Sequence, residues 1–284
     1  MAHPTPASLA TTAHPSQAWR PVAGAGGPAA SARRLRPGVA VVPATSVVAG
    51  LLLWQLLAAY VVKNGLFLAA PTQVIGAIVR LWATGALQRH LLTSGQEFLI
   101  GFALASGGGV PLGLAMASSE SFKRILFPWV SAFYATPIVA LSPLLILWLG
   151  IDLWSKVAVV ISVVIFPVII NTETGVRSTD PQLIEAVRSF GASSGQIFQK
   201  VSLPSALPFI LAGLRLGVGR GLIGVVVGEL FGARSGLGFL IMDSAQVFNM
   251  PSLFAGVVVL AAIGIILTTG FEMLERHLVP WRQA

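Results

Sequence analysis

Two arginines, Arg215 and Arg220, fall within one otherwise apolar stretch of the chain, and a glutamate, Glu229, follows at its end. An arginine at the centre of a bilayer costs about 2.5–3.5 kcal/mol on insertion scales, so it turns away from lipid. Two kinds of chemistry suit it there. One or both guanidiniums line a path and attract an anionic solute. Alternatively, they satisfy carbonyls freed in a proline-kinked neighbour or pair with an acid across the bundle. Five residues apart, the two arginines stand about 140° around a helix from each other and can face different partners. Bond-breaking chemistry finds less support. A membrane-embedded enzyme needs clustered acids or a nucleophile and its base at depth, and the ten acids fall almost entirely in flanks and loops. There is no cysteine, which excludes thiol and disulfide chemistry. The four histidines, His3, His14, His90 and His277, lack ligand spacing, so no metal site is expected. The stretch FGARSGLGFLI, with Gly232, Gly236 and Gly238, looks only superficially like a phosphate loop. It lacks the G-x-x-x-x-G-K-[ST] order and reads as a turn beside an outer gate, so no cofactor or ATP site is expected on this chain.

The elements that must position these residues are membrane helices. Of 284 residues 55% are hydrophobic and only 10% charged, against about 25% charged in a soluble domain. Uncharged runs approach the ~20 residues needed to cross a ~30 Å hydrocarbon core. The expected fold is therefore an all-α polytopic membrane protein with six spans at about 38–62, 98–119, 125–151, 157–171, 207–228 and 253–271. Residues 1–37 are rich in Ala, Pro, Ser, Thr and Gly and read as a disordered tail. Arg33, Arg34 and Arg36 precede the first run as a signal peptide would, but 25 uncharged residues from Gly38 to Val62 exceed a 7–15-residue signal core. That run is expected to be a retained anchor. Three prolines, Pro128, Pro137 and Pro143, predict kinks in the third span. Between the first two spans, Pro71 to Gln96 places Val74, Ile75, Ile78, Val79 and Trp82 at helical spacing. It reads as one or two amphipathic helices on the membrane surface.

Six spans put both termini on one side. With the amino terminus inside, eleven Lys and Arg fall on the inner side and five on the outer, leaving Arg215 and Arg220 within a span. The positive-inside rule then places both termini, the short tail 277–284 and the connection 172–206 in the cytoplasm. The basic balance follows from topology, so no nucleic-acid partner is implied. The cytoplasmic connection is strongly patterned. Asp180-Pro181 is a helix start; Leu183, Ile184, Val187 and Phe190 form an apolar stripe; Gly191 stands where a left-handed cap is needed. A second helix follows until Leu203 and Pro204 return the chain to the membrane. A two-helix knob outside the bilayer is a shape for docking another subunit.

Glu185-Ala186-Val187, three residues, Gly191, nine residues and Val201-Ser202-Leu203-Pro204 resemble the EAA loop of ABC importer permeases. Val187 and Val201 replace an Ala and an Ile of the family pattern. The segments SPLLILWLGI, FPVIINTETGVRS, GLRLGVGRGLIGVVVGEL and SGLGFLI are similar to nitrate/sulfonate/taurine-type permeases, over roughly residues 50 to 276. The resemblance implies a type I ABC importer permease of a bacterial inner membrane. It implies a homodimer of this chain, two cytoplasmic ATPase subunits that hold ATP and Mg, and an extracytoplasmic substrate-binding protein. Systems this chain resembles carry nitrate, taurine, alkanesulfonates, bicarbonate and aromatic or pyrimidine solutes; the two arginines tilt the expectation toward a small anion, sulfonate-, taurine- or nitrate-like. The resemblance assigns Glu185, Ala186, Val187, Gly191, Leu203 and Pro204 to ATPase coupling, the plainer alternative for Glu185 being a solvated surface carboxylate. Arg215, Arg220, Glu229, Gly236 and Gly238 are the candidate path or gate residues. The competing expectation is a secondary transporter without an ATPase; internal repeats and deep acids, its usual marks, are not evident.

Overall fold

The computed structural model describes residues 37–62 and 65–280, all helix and connecting turns. Residues 1–36 of the expected tail 1–37, residues 63–64 and residues 281–284 lie outside the described residues. The chain divides after Val48 into two units. The first is represented by the opening turns of α1 (Pro37–Leu56), and the rest of the description concerns the second.

Eleven helices follow one another among the described residues: α1, then α2 (Pro71–Ala83), α3 (Ala86–Ser118), α4 (Glu120–Ala135), α5 (Ser142–Leu149) and α6 (Leu153–Arg177). These lead to α7 (Pro181–Ser189), α8 (Ser194–Ile197), α9 (Leu203–Leu230), α10 (Leu237–Gln246) and α11 (Met250–Leu278). Five stretches are long and apolar enough to cross a bilayer, and α4 with α5, bent by 79°, makes a sixth if taken as one broken span. The break comes at Pro137, where a short 3-10 turn (Ile138–Leu141) intervenes, and Pro143 opens α5 in its first turn. Pro128 stays inside α4 without ending it.

The core is a three-helix seam. Val160, Val164 and Val168 project from α6 at four-residue spacing and are fully buried. Small residues receive this ridge on both sides. On α3 these are Gly101, Ala105, Gly109 and Gly113: a Cβ on Gly113 would stand 2.7 Å from the Ile169 carbonyl, and one on Gly101 2.6 Å from Val160. On α9, Gly213, Gly217, Gly221, Gly224 and Gly228 meet Asn171, Val164, Val163 and Lys156 of α6 in the same way. Lipid supplies no hydrophobic force between helices, so close van der Waals contact of this kind is what holds them. Five of the α9 glycines are thus consumed by contacts within the subunit, and on that helix only Gly219 opens on empty space.

Several expected boundaries also move. Only the first half of Pro71–Gln96 is a separate helix, and it is not a simple surface helix. Val74 and Ala77 of α2 are buried with Ala255 of α11, while Ile75, Val79 and Trp82 point outward. The second half begins α3, twelve residues earlier than the expected span at 98, after a Thr84–Gly85 turn. The connection expected at 172–206 shrinks to 178–193. At one end Glu173 and Arg177 pair one helical turn apart and carry α6 onward. At the other, a π-helical turn (Phe198–Ser202) joins α8 to α9, so Pro204 begins α9 and does not interrupt the helix. The expected tail from 277 begins later, since α11 continues to Leu278.

Candidate functional site

The polar connection between α6 and α9 is organised residue by residue. The Asp180 carboxylate accepts from the Gln182 N–H at 2.9 Å and Pro181 fills the first position of α7. This is the acid-then-proline start that exposed first-turn amides favour. The helix ends in Gly191, with φ +82°, whose N–H donates to the Arg188 carbonyl at 2.9 Å while Ala192 N–H reaches Val187 at 3.4 Å. That pair of bonds is a Schellman motif, and its left-handed residue costs an L side chain about 1–2 kcal/mol. Ser193 and Gln196 then cap α8 reciprocally, at 3.4 and 2.9 Å. No residue of α7 is buried. Leu183 is 47% and Phe190 90% exposed, and Glu185 and Ala186 lie on the open surface beside them. The knob is locally rigid, yet among the described residues nothing covers Leu183 and Phe190, while Ile184 and Val187 are half-buried. Leu203 and Pro204 sit where the π-helical turn passes into α9.

Behind the knob, where α6 ends, lies a charged cluster that sequence reasoning missed. Glu173 is 5% exposed, and its Oε1 stands 2.7 Å from both Lys123 Nζ and Arg177 Nε. Arg177 also reaches Glu120 at 2.5 Å, so α4 and α6 are tied by two acids and two bases. The four-residue spacing of Glu173 and Arg177 was the available signal.

A second missed cluster gathers at the opposite end of α6. Glu229, expected at the flank of its span, is 1% exposed. Its carboxylate accepts from Ser94 Oγ and from the Gly238 N–H, each at 2.5 Å. Ser94 in turn accepts from Leu237 N–H at 2.8 Å, and His90 Nδ1 accepts from Gly236 N–H at 3.0 Å. The first amides of α10, which its own helix cannot satisfy, are thus answered by α3 and α9. Gly236 has φ +125° and ψ 164°, open to glycine alone, and a Cβ there would collide with the Glu229 carboxylate. At Gly238 a Cβ would stand 2.7 Å from the Val226 carbonyl. The expected turn near an outer gate is therefore the packed amino terminus of a helix. Lys156, 2% exposed, donates to the carbonyls of Ile151, Asp152 (3.2 Å) and Gly232 (3.1 Å), closing the α5–α6 and α9–α10 turns together. Glu97, 3% exposed, abuts Glu229 and lines a cavity of about 230 Å³ with Thr93, Gln96, Asp152, Lys156 and Arg234. The expectation of no deep acid is corrected by Glu97 and Glu229. Glu97 stood one residue before the apolar run beginning at Phe98, and that was the signal.

The candidate path residues accordingly separate. Glu229, Gly236 and Gly238 form one structural cluster, whereas the arginines lie further back along α9 with different partners. Arg215 Nη1 stands 3.4 Å from Glu275 and 3.8 Å from Glu272 of α11. Arg220 Nη2 donates to Tyr134 Oη at 3.0 Å, with the guanidinium carbon 4.8 Å from the ring centroid.

Comparison with known proteins agrees with this architecture. The profile of the family described as binding-protein-dependent transport system inner membrane component matches residues 109–283. A putative aliphatic sulfonates transport permease of Bacillus subtilis is 35% identical over 232 residues, 82% of this chain and 84% of its own length. A formylaminopyrimidine transport permease of Halalkalibacterium halodurans is 34% identical over 233 residues, covering 82% and 92%. A taurine transport system permease of Escherichia coli is 33% identical over 236 residues, covering 81% and 86%. Among solved structures, an inward-facing form of the MetNI methionine ABC transporter aligns with a TM-score of 0.60 at 20% identity, over 68% of this chain and 96% of that one. That likeness is one of fold.

Proposed function

The chain belongs to the binding-protein-dependent transport system inner membrane components, the multi-pass permease family of ABC importers, and from that premise we propose that two copies form the membrane path for a small anionic solute. Two of the relatives named above carry aliphatic sulfonates and taurine in their names, and sulfonates are the class we assign. ATP and Mg are held by two separate ATPase subunits, and an external binding protein delivers the solute. The positive-inside count puts both termini and α7 in the cytoplasm of a bacterial cell.

One observation carries the docking assignment. The apolar stripe of α7 keeps Leu183 half exposed and ends in a 90% exposed Phe190, on a doubly capped helix that the described residues leave open there. A groove on an ATPase subunit is the cover we assign. Glu185 makes the polar contact, Ala186 permits close approach, Val187 and the Leu203-Pro204 junction support the knob, and Gly191 fixes the angle between its helices. Closure of the ATPases on ATP draws the two α7 helices together and turns the path outward; hydrolysis resets it.

The test is a tagged pull-down from native membranes of wild type, Glu185→Ala and Gly191→Pro. Proline at φ ≈ −65° is incompatible with the +82° at this position. Wild type is expected to recover a P-loop ATPase, and each variant about tenfold less, equivalent to about 1.4 kcal/mol of docking energy. Equal recovery by both variants, or no ATPase with wild type under mild detergent, refutes the assignment.

A further inference from the structure

We propose that Arg220, held against Tyr134, is the point within the membrane that receives the solute's sulfonate group, an inference that rests on the sulfonate reading above. The contrast within α9 motivates it. Arg215 is answered by two carboxylates of α11. Arg220 sits ten residues before the end of α9, about 15 Å along the axis and so about halfway through a ~30 Å hydrocarbon core. Among the described residues no carboxylate lies within ion-pairing distance of it, and its hydrogen-bond partner is a neutral tyrosine hydroxyl. A positive charge is thus held at depth, oriented and uncompensated.

Its surroundings are suited to an anion. Tyr134 ends α4 next to the break, where the chain turns at Pro137 before α5 begins. Irregular backbone at this depth is tolerated only inside protein or against a water-filled cavity. Both side chains are partly exposed on that corner. Arginine presents five N–H donors in a planar fork, of which one meets Tyr134, and the remainder match two oxygens of a sulfonate. The Tyr134 oxygen accepts from Arg220, which leaves its own hydrogen for a third.

The experiment is uptake of radiolabelled taurine and ethanesulfonate into proteoliposomes. They hold the complete complex of this chain, its ATPase and its binding protein, as wild type, Arg220→Gln and Arg220→Lys. Subunit stoichiometry is measured on the same preparations. Wild type is expected to take up at least one of the two sulfonates. Arg220→Gln should fall at least tenfold at saturating binding protein, and Arg220→Lys, a point charge without the fork, should lie between. Undiminished uptake by Arg220→Gln overturns this inference alone. Absence of uptake of either sulfonate by an intact wild-type complex overturns the sulfonate reading and the inference with it. If Arg220→Gln instead separates the two copies of the chain, Arg220 serves their contact and the inference falls.

Discussion

Replacing Glu229 by alanine deletes the acceptor for two hydrogen bonds, from Ser94 Oγ and the Gly238 N–H, at a position 1% exposed. Hydrogen bonds to a charged group contribute about 1.5–3 kcal/mol each, so the loss is about 3–6 kcal/mol. Glu229→Gln keeps one acceptor oxygen but sets an amide nitrogen against the second donor, and is expected to lose about half as much. For a chain of this size 1 kcal/mol moves the melting temperature by about 2–4 °C, so Glu229→Ala should melt at least about 6 °C lower. The sharper test is coupling to Gly236. In the wild-type background Gly236→Ala meets both the Glu229 carboxylate and an unfavourable backbone conformation. In the Glu229→Ala background only the backbone strain remains, of order 1–3 kcal/mol. The cost of Gly236→Ala must therefore shrink when Glu229 is absent. The assay is thermal unfolding of the purified complex in detergent, for the four members of the cycle. Strict additivity, or a Glu229→Ala protein that melts within 2 °C of wild type, refutes the account of this cluster.

Two further outcomes follow from the packing and the charges. Gly113→Val drives a side chain into the Ile169 carbonyl and Thr172 and should destabilise by about 1–3 kcal/mol, whereas Gly107→Ala, with open space at its Cβ, should melt as wild type does. Glu173→Gln weakens a buried partner of Lys123 and Arg177 and should cost about 1.5–3 kcal/mol. Arg124→Ala, which removes an exposed pair with Glu120, should cost less than about 1 kcal/mol in the same melting assay.

The sequence was most legible where local chemistry decides the outcome. Asp180-Pro181 and Gly191 place the ends of α7 to the residue, because first-turn amides and a left-handed cap admit few side chains. Hydropathy found the spans but misjudged their ends, since a helix outlasts its apolar stretch wherever polar residues find partners. Glu97 looked like the flank of a surface helix because its neighbours, Glu229 and Lys156, lie 132 and 59 residues away in the chain. Arg215 and Arg220 looked alike for the same reason: what separates them is Glu275 on α11 and Tyr134 on α4. The glycines of α9 showed that something approaches closely, not that the partner is α6 of the same chain.

That last point constrains how motion can cross the membrane. α6 carries Glu173 and Arg177 at one end and Lys156 at the other, with Lys156 and Glu173 seventeen residues apart, about 26 Å along the axis. Between them the valine ridge is locked into glycine grooves on α3 and α9 whose contacts leave no room for a Cβ. Close-packed seams of this kind do not deform continuously. A displacement applied at α7 therefore moves α3, α6 and α9 as one body, and the turns pinned by Lys156 and Glu229 travel with them. The α4–α5 span is tied to this body at both ends, by Glu120 and Lys123 at its start and by Lys156 after its close, and it bends between them at Pro137. Tyr134 stands beside that bend and Arg220 in the packed body, so the contact between them joins the break to the seam.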